Sequence, residues 1–451
     1  MPRTKDLIRQ PDEYRRCLVD RNKGDLVPHF DRGLDLYEQW KRLVSSIGNL
    51  RQELNQLSAE YAKTRDQGLV ETSREVKDRI RAAEQREAEV SADLSRVEIA
   101  LPNWIASDVP PGEGEAAVRV IAYAGVPRVH TDGVEAFQRL YPGADFELAA
   151  VPPFHHYDLV GDLVDQEIAG KVAQSRFYYE FDELVILDFA ITLYALEFFR
   201  ARGYGQKLMI TPYLLRRSVE ERITYLEAFQ DTIYEIEKDE FILLPSSEHS
   251  VVAYYMNRIF DREQLPLRVM AWSPCFRREA GAHGRDTRGI FRVRQFHKLE
   301  LHSILPAGED DAEVERMRVD IQDLLLTLGL PNRSVVVPRV DMDKRATRQV
   351  DVETWLPGQG AYRETHSIAT LGTWVAEKVK MRYRPGAGRT EFTRNVYGTG
   401  AAAQRLICAI AENHYDHATS SIRIPGPLAK YMMGVTQVPV KRAVSPGSAE
   451  R

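Results

Sequence analysis

Two apolar seams near the N-terminus constrain the fold more than any other feature of the chain. Leu36, Leu43, Ile47, Leu50, Leu54, Leu57 and Tyr61, with Trp40 filling one further step, recur at alternating spacings of four and three. That period places them on one stripe of a helix, and a stripe so narrow needs a second helix to cover it. After Asp66-Gln67-Gly68 the spacing resumes at Val76, Ile80, Ala83, Val90, Leu94, Val97 and Leu101, with Glu87 standing at one apolar step. The pattern predicts an antiparallel helical hairpin, each helix about 30 residues and on the order of 45 Å long. Pro102, then Pro110-Pro111 and Gly112, end the second helix and open a linker. From Trp40 to Glu98 the arm carries 11 Lys/Arg and 11 Asp/Glu. Its charge therefore leaves two uses open, a dimerisation coiled coil and a probe for an elongated partner.

At 451 residues the chain exceeds one ordinary core. Beyond Gly114 short β-like runs appear at Lys207–Ile210, Phe241–Leu244, Leu267–Trp272, Phe291–Val293, Leu299–Ile304, Ser334–Val337 and Tyr362–Ser367. Many follow one another without a helix between, which predicts a mostly antiparallel sheet and an α+β domain. Phe181–Gly203, Val314–Gly329 and Ala401–His414 read as its covering helices. The expected division is an N-terminal domain over 1–108, a larger domain over 109–438 and a disordered tail over 439–451. A net charge of −5 gives no global positive field to draw in nucleic acid, so such contacts would come from local patches. Three dispersed cysteines, Cys17, Cys275 and Cys408, exclude a disulfide framework and a paired-cysteine zinc site, and no zinc is expected. No signal-peptide h-region and no run of about 18 apolar residues is present, which predicts a cytoplasmic protein with no membrane partner.

The richest chemistry lies in Ser273-Pro274-Cys275-Phe276-Arg277-Arg278-Glu279-Ala280-Gly281, continuing through Gly284-Arg285-Asp286-Thr287-Arg288-Gly289 to Gln295-Phe296. An apolar segment, a Gly-rich charged turn and a second apolar segment suit an antiparallel hairpin that holds a polyanion. Arg277 can grip phosphate or carboxylate with a planar fork that stays charged at neutral pH. Taken alone, such a hairpin is more often solvated surface than a site.

Three further clusters change that balance. They are Leu244-Pro245-Ser246-Ser247-Glu248, the pair Asp351-Val352-Glu353-Thr354-Trp355-Leu356-Pro357 with Gln359-Gly360-Ala361-Tyr362-Arg363-Glu364, and Gly398-Thr399-Gly400 leading to Arg405. Together with the arm and hairpin, they resemble seryl-tRNA synthetases, a family of class II aminoacyl-tRNA synthetases, over nearly the whole chain. The resemblance implies a six- or seven-stranded antiparallel sheet with flanking helices. It also implies a homodimer with Pro212 near the interface, and an arm that grips tRNA(Ser). The implied reaction is attack of an amino acid carboxylate on the α-phosphate of ATP, followed by transfer to tRNA. The attacking carboxylate is ionised at neutral pH, so no general base is needed. The site must hold two anions together and offset their repulsion.

By position in the family motifs, Arg277 bridges the amino acid carboxylate and the α-phosphate. Arg405 lies on the γ-phosphate side, next to small residues that admit the nucleotide closely. Phe296 stacks on adenine, Glu279 hydrogen-bonds its amino group, and Arg292 joins the ATP site. Glu364 and Ser367 are the oxygen donors for Mg²⁺ and the phosphates. Glu248 faces the ammonium group of the amino acid beside Ser246, while Glu300 and Thr399 read the serine hydroxyl and Tyr397 borders the same pocket.

The chain departs from the family pattern mainly on the amino acid side. Ser367-Ile368-Ala369-Thr370 stands for Ser-x-Ser-Asn, Tyr397 for an Asn, His297 for an Asp and Ser246 for a Thr. Trp374-Val375-Ala376-Glu377-Lys378 replaces Phe-Gln-Ala-Arg-Arg, and Glu221-Arg222-Ile223-Thr224-Tyr225 replaces a Gly-rich stretch. Three functions remain open at this point. They are serine activation for tRNA, adenylation of a different or non-standard amino acid for tRNA or another acceptor, and non-catalytic regulation through RNA binding.

Overall fold

The structure, a computed structural model, describes residues 10–224, 232–279, 286, 288–386 and 388–440. It divides into two compact units, Met1–Trp104 and Ile105–Arg451.

The first unit is built on the two seams. Helix α1 (Pro11–Asp20) precedes α2 (Val27–Thr64) and α3 (Gly68–Ala100). At 38 residues, α2 is about 57 Å long, longer than the seam alone predicts. It ends because Arg65 turns to a left-handed φ of 57°, and Asp66 then accepts the Gly68 N–H at 2.9 Å to start α3. Leu36, Ile47 and Leu50 of α2 are buried, as are Val76, Ile80, Val90, Leu94 and Val97 of α3. Glu87, the break in the second seam, accepts a 2.6 Å hydrogen bond from Trp40 Nε1 and so forms a polar rung between the helices. A Cβ on Gly33 would come within 2.9 Å of Val97 Cγ1, so the absent side chain leaves room for Val97 of the facing helix. At the base, Tyr14 of α1 packs against Phe30 and Trp104, and its hydroxyl donates to Pro102 O at 2.6 Å.

The second unit is organised around one eight-stranded sheet. Its strands are β1 (Arg119–Ala124), β2 (Lys207–Ile210), β3 (Leu267–Phe276), β4 (Gln295–Leu305), β5 (Asn332–Val336), β6 (Arg348–Leu356), β7 (Ala361–Gly372) and β8 (Arg394–Ala402). Their order is β1-β5-β6-β7-β8-β4-β3-β2, antiparallel throughout except where β2 runs parallel to β3 at the edge. The sheet is thus larger than the six or seven strands expected. Side chains alternate between its faces. One face, carrying Leu299, Leu301, Val350, Val352, Ile368 and Val396, packs in one core with helices α4 (Asp182–Ala201), α7 (Asp310–Thr327) and α9 (Ala403–His414). The other carries Val269, Ala271, Ile304, Ala369 and Leu371, which share a core with α5 (Arg217–Ile223), α6 (Ser247–Tyr254) and α8 (Trp374–Val379). The polar residues of the candidate site continue this second face.

Several local expectations are corrected. Phe291 and Val293 are buried but form no strand, because they plug the core from a loop and β4 begins only at Gln295. Phe241–Leu243 joins a separate three-stranded sheet. Ala401 and Ala402 finish β8, and the helix starts at Ala403. Pro439, expected in the tail, pairs with Ser421 in a small sheet; 441–451 lie outside the described residues. So do 1–9, and 280–285 and 287 of the hairpin turn. Among the described residues no helix is long and apolar enough to cross a membrane.

Arg333 on β5 shows how charge is accommodated in this unit. Its side chain is 2% exposed and lies between Glu353 (2.6 Å) and Glu115, with its guanidinium over the rings of Tyr141 and Tyr362. Removing one member of a buried ion pair leaves the other charge uncompensated, at about 3–5 kcal/mol. Arg333→Ala should therefore lower the unfolding free energy of this unit by an amount in that range, read as a lower urea midpoint. An unchanged midpoint would show that Glu353 is neutral without it.

Candidate active site

The residues expected on the nucleotide side gather at the loop end of the β3–β4 hairpin. The register pairs Cys275 with Phe296 and Phe276 with Gln295, as the hairpin expectation requires. Arg277 then leaves the ladder with its guanidinium 5.2 Å from the Phe296 ring centroid. Its N–H donates to Arg294 O at 2.9 Å, and its Nε donates to Pro245 O at 3.4 Å. Glu279, at a left-handed φ of 51°, receives Arg292 Nε at 2.5 Å across the hairpin. Phe296, Arg277, Glu279 and Arg292 are thus brought together.

Arg405 stands in the first turn of α9 and donates to the Glu364 backbone oxygen at 2.9 Å and to Oε1 at 3.0 Å. Desolvation opposes the charge on Glu364, yet Arg405, Arg277 and Lys298 hold its carboxyl below the usual range. Asp351 and Ser367 are opposite one another in the ladder, and Gln349 Nε2 donates to both, at 3.0 and 3.1 Å. Burial and the neighbouring charge of Glu364 push the Asp351 carboxyl well above its ordinary value. Asp351 opens the Asp351–Pro357 motif, whose position in the sequence implies no role for it. Only the fold shows that its carboxyl and that of Glu364 share one neighbourhood.

The Gly398-Thr399-Gly400 segment works differently from expectation. A Cβ on Gly398 would meet Met317 and Ile368 at 3.3 Å, and one on Gly400 would meet Leu301 at 3.2 Å. The small residues admit close packing on the α7 side, while Thr399 between them pairs with Glu300 on the site face.

Among the residues expected at the amino acid, Ser246 caps α6 by accepting the Glu248 N–H at 3.2 Å, and its hydroxyl donates to Glu300 Oε1 at 2.8 Å. Lys298 also bonds that oxygen. Glu300 is 1% exposed, and its Oε2 has no hydrogen-bond partner among the described residues. Glu248 is not open: Arg345 donates to both of its oxygens, Nη1 at 3.1 Å and Nη2 at 3.3 Å. Arg345 grips Asp343 more tightly, with Nη2 at 2.7 Å, and the Tyr397 hydroxyl donates to the same Asp343 oxygen at 2.9 Å. Burial opposes the charge on Asp343, but Arg345 and Tyr397 hold its carboxyl well below the usual range. Burial, with the carboxylates of Asp343 and Glu248, pushes the Tyr397 phenol well above its own.

The fold also sorts the departures from the family pattern. His297 turns to the face covered by α4, α7 and α9, where it pairs with Asp188 of α4 at 2.8 Å, and Thr370 donates to Asp310 of α7 at 3.1 Å. Trp374 is buried in the α8 core, and Glu221, Arg222 and Ile223 of the stretch that replaces the glycines end α5, while Tyr225 lies outside the described residues. Glu220 of α5 lies 2.5 Å from His249, beside Glu248. Ala369 and Tyr397 do reach the site face, directly opposite one another across β7 and β8.

An antiparallel sheet with the β3–β4 hairpin, a strand-borne Glu–Ser pair and an Arg on the following helix defines the core of a class II aminoacyl-tRNA synthetase. In agreement, the profile described as tRNA synthetase class II core domain (G, H, P, S and T) matches residues 232–414. The Seryl-tRNA synthetase N-terminal domain profile matches residues 4–105. The chain is 34% identical to the serine–tRNA ligase of Pyrococcus horikoshii over 97% of both sequences. It is 33% identical to that of Desulfurococcus amylolyticus over 91% of both. The seryl-tRNA synthetase from Pyrococcus horikoshii complexed with ATP superposes with a TM-score of 0.90 at 34% identity, over 97% of this chain and 100% of that one. The cytoplasmic serine–tRNA ligase from Naegleria fowleri, in complex with AMP, shares the fold at a TM-score of 0.80 and 23% identity, over 96% of each chain. The chain belongs to the seryl-tRNA synthetase family.

Proposed function

We propose that this protein activates serine with ATP and transfers it to tRNA(Ser). The observation that carries the choice of serine is the buried Glu300. Its Oε1 is held by Ser246 and Lys298, while Oε2 is left to accept from a substrate hydroxyl beside Thr399. An amino acid lacking that hydroxyl leaves a buried acceptor unpaired, which costs about 1–3 kcal/mol or more. Arg277 holds the substrate carboxylate against the α-phosphate, with adenine stacked on Phe296 and Glu279 at its amino edge. Arg405 takes the γ-phosphate end. Glu364 and Ser367, with Asp351 behind them, form a hard oxygen set, and the clash between the two carboxyls is what a cation relieves. Mg²⁺ held there would neutralise phosphate charge.

The arm, through α2 and α3, serves as the tRNA-binding element. The edge strand β2, with Leu208 and Ile210 more than half exposed next to Pro212, suits pairing with a second copy. Neither a different amino acid nor a purely RNA-binding role is favoured by the family relationship.

Amino-acid-dependent ATP–pyrophosphate exchange tests the reading. Serine should support exchange, with alanine and glycine at least about 100-fold lower in kcat/KM. Exchange driven by another amino acid, or by none, would overturn it.

A further inference from the structure

Glu248 and Asp343, two buried or nearly buried carboxylates, share the single guanidinium of Arg345. The sharing is unequal. Arg345 meets Glu248 at 3.1 and 3.3 Å, but reaches Asp343 at 2.7 Å and also through Nε at 3.1 and 3.2 Å. Asp343 further accepts the Arg345 backbone N–H at 2.8 Å, so this pair is fixed within one short segment. Arg345 can therefore yield Glu248 and keep a carboxylate partner, without stranding a buried charge.

We propose that Arg345 is an internal counter-ion standing in for the substrate's ammonium group at Glu248, and is thereby a specificity-determining residue. An arriving ammonium takes Glu248, and Arg345 withdraws onto Asp343, so that one shared guanidinium becomes two separate ion pairs. Tyr397 positions Asp343 to receive it. A ligand without an ammonium group cannot make the exchange, and meets a Glu248 that is already neutralised. The proposal rests on the amino-acid-activation reading above, and it adds a competition that this site imposes.

The test compares serine with 3-hydroxypropanoate, which lacks only the ammonium group, as an inhibitor of serine-dependent exchange. In Arg345→Met the competitor is gone, so the KM for serine should fall about tenfold, because the competent fraction of Glu248 rises. The inhibition constant of 3-hydroxypropanoate should rise, because Glu248 is then left bare, and the KM for ATP should not change. A merely structural role moves both ligands in the same direction. Asp343→Asn provides a second variant: with its other anchor removed, Arg345 binds Glu248 more firmly. The serine KM should then rise about tenfold while 3-hydroxypropanoate is unaffected. Parallel losses for both ligands, or an unchanged serine KM, would overturn the proposal. Absence of exchange in the wild-type enzyme would instead overturn the activation reading beneath it.

Discussion

Arg277→Ala should lower serine-dependent pyrophosphate exchange by at least about 10³-fold in kcat/KM, a loss of about 4 kcal/mol of transition-state stabilisation. The size follows from its position. Arg277 projects from the hairpin beside Phe296, tethered through its backbone to Arg294 and through Nε to Pro245. In its proposed role one guanidinium there serves two anions that otherwise repel each other, so its loss removes attraction and restores repulsion together. Arg277→Lys should recover only part of the rate, since an ammonium has no planar fork with which to bridge both groups. Wild-type exchange in the alanine variant would remove Arg277 from the site.

Shortening the arm should have the opposite profile. The Trp40–Glu87 rung marks a natural place to cut, with the Arg51–Glu84 and Glu53–Arg79 contacts beyond it. Removing residues 44–83 and closing the chain with a short Gly-containing turn keeps the rung and the buried base around Leu36, Leu94 and Val97. Pyrophosphate exchange should then stay within about twofold of wild type, because every residue of the proposed activation site belongs to the second unit. Charging of tRNA(Ser) should fall about 10³-fold in kcat/KM, as expected when several phosphate contacts go at once. Undiminished charging would refute the arm's role, and a parallel loss of exchange would show that the cut damaged the catalytic unit.

The arm was legible because a two-helix seam writes its period into the chain, and its one exception, Glu87, has a partner in Trp40. The β3–β4 hairpin and the residues along it were legible because the motif is contiguous. Phe291–Val293 misled for a physical reason: a short apolar run is buried equally well as a strand or as a loop plug. Arg345 was not legible at all. It meets Glu248 from 97 residues away, and none of the sequence motifs contains it. Nor could the chain alone say that His297 and Thr370 turn away from the pocket while Ala369 and Tyr397 face it, since that depends on register.

The pairing of Ala369 with Tyr397 has a consequence for how this pocket can evolve or be engineered. A small residue directly opposite a large one makes the two positions epistatic. Enlarging Ala369 first would press a new side chain against the phenol, and overpacking is costly. Trimming Tyr397 first leaves only a gap that a later substitution at 369 can refill. The traversable path back toward the family's polar pair therefore has a direction, and libraries that vary one position at a time will find only its first step.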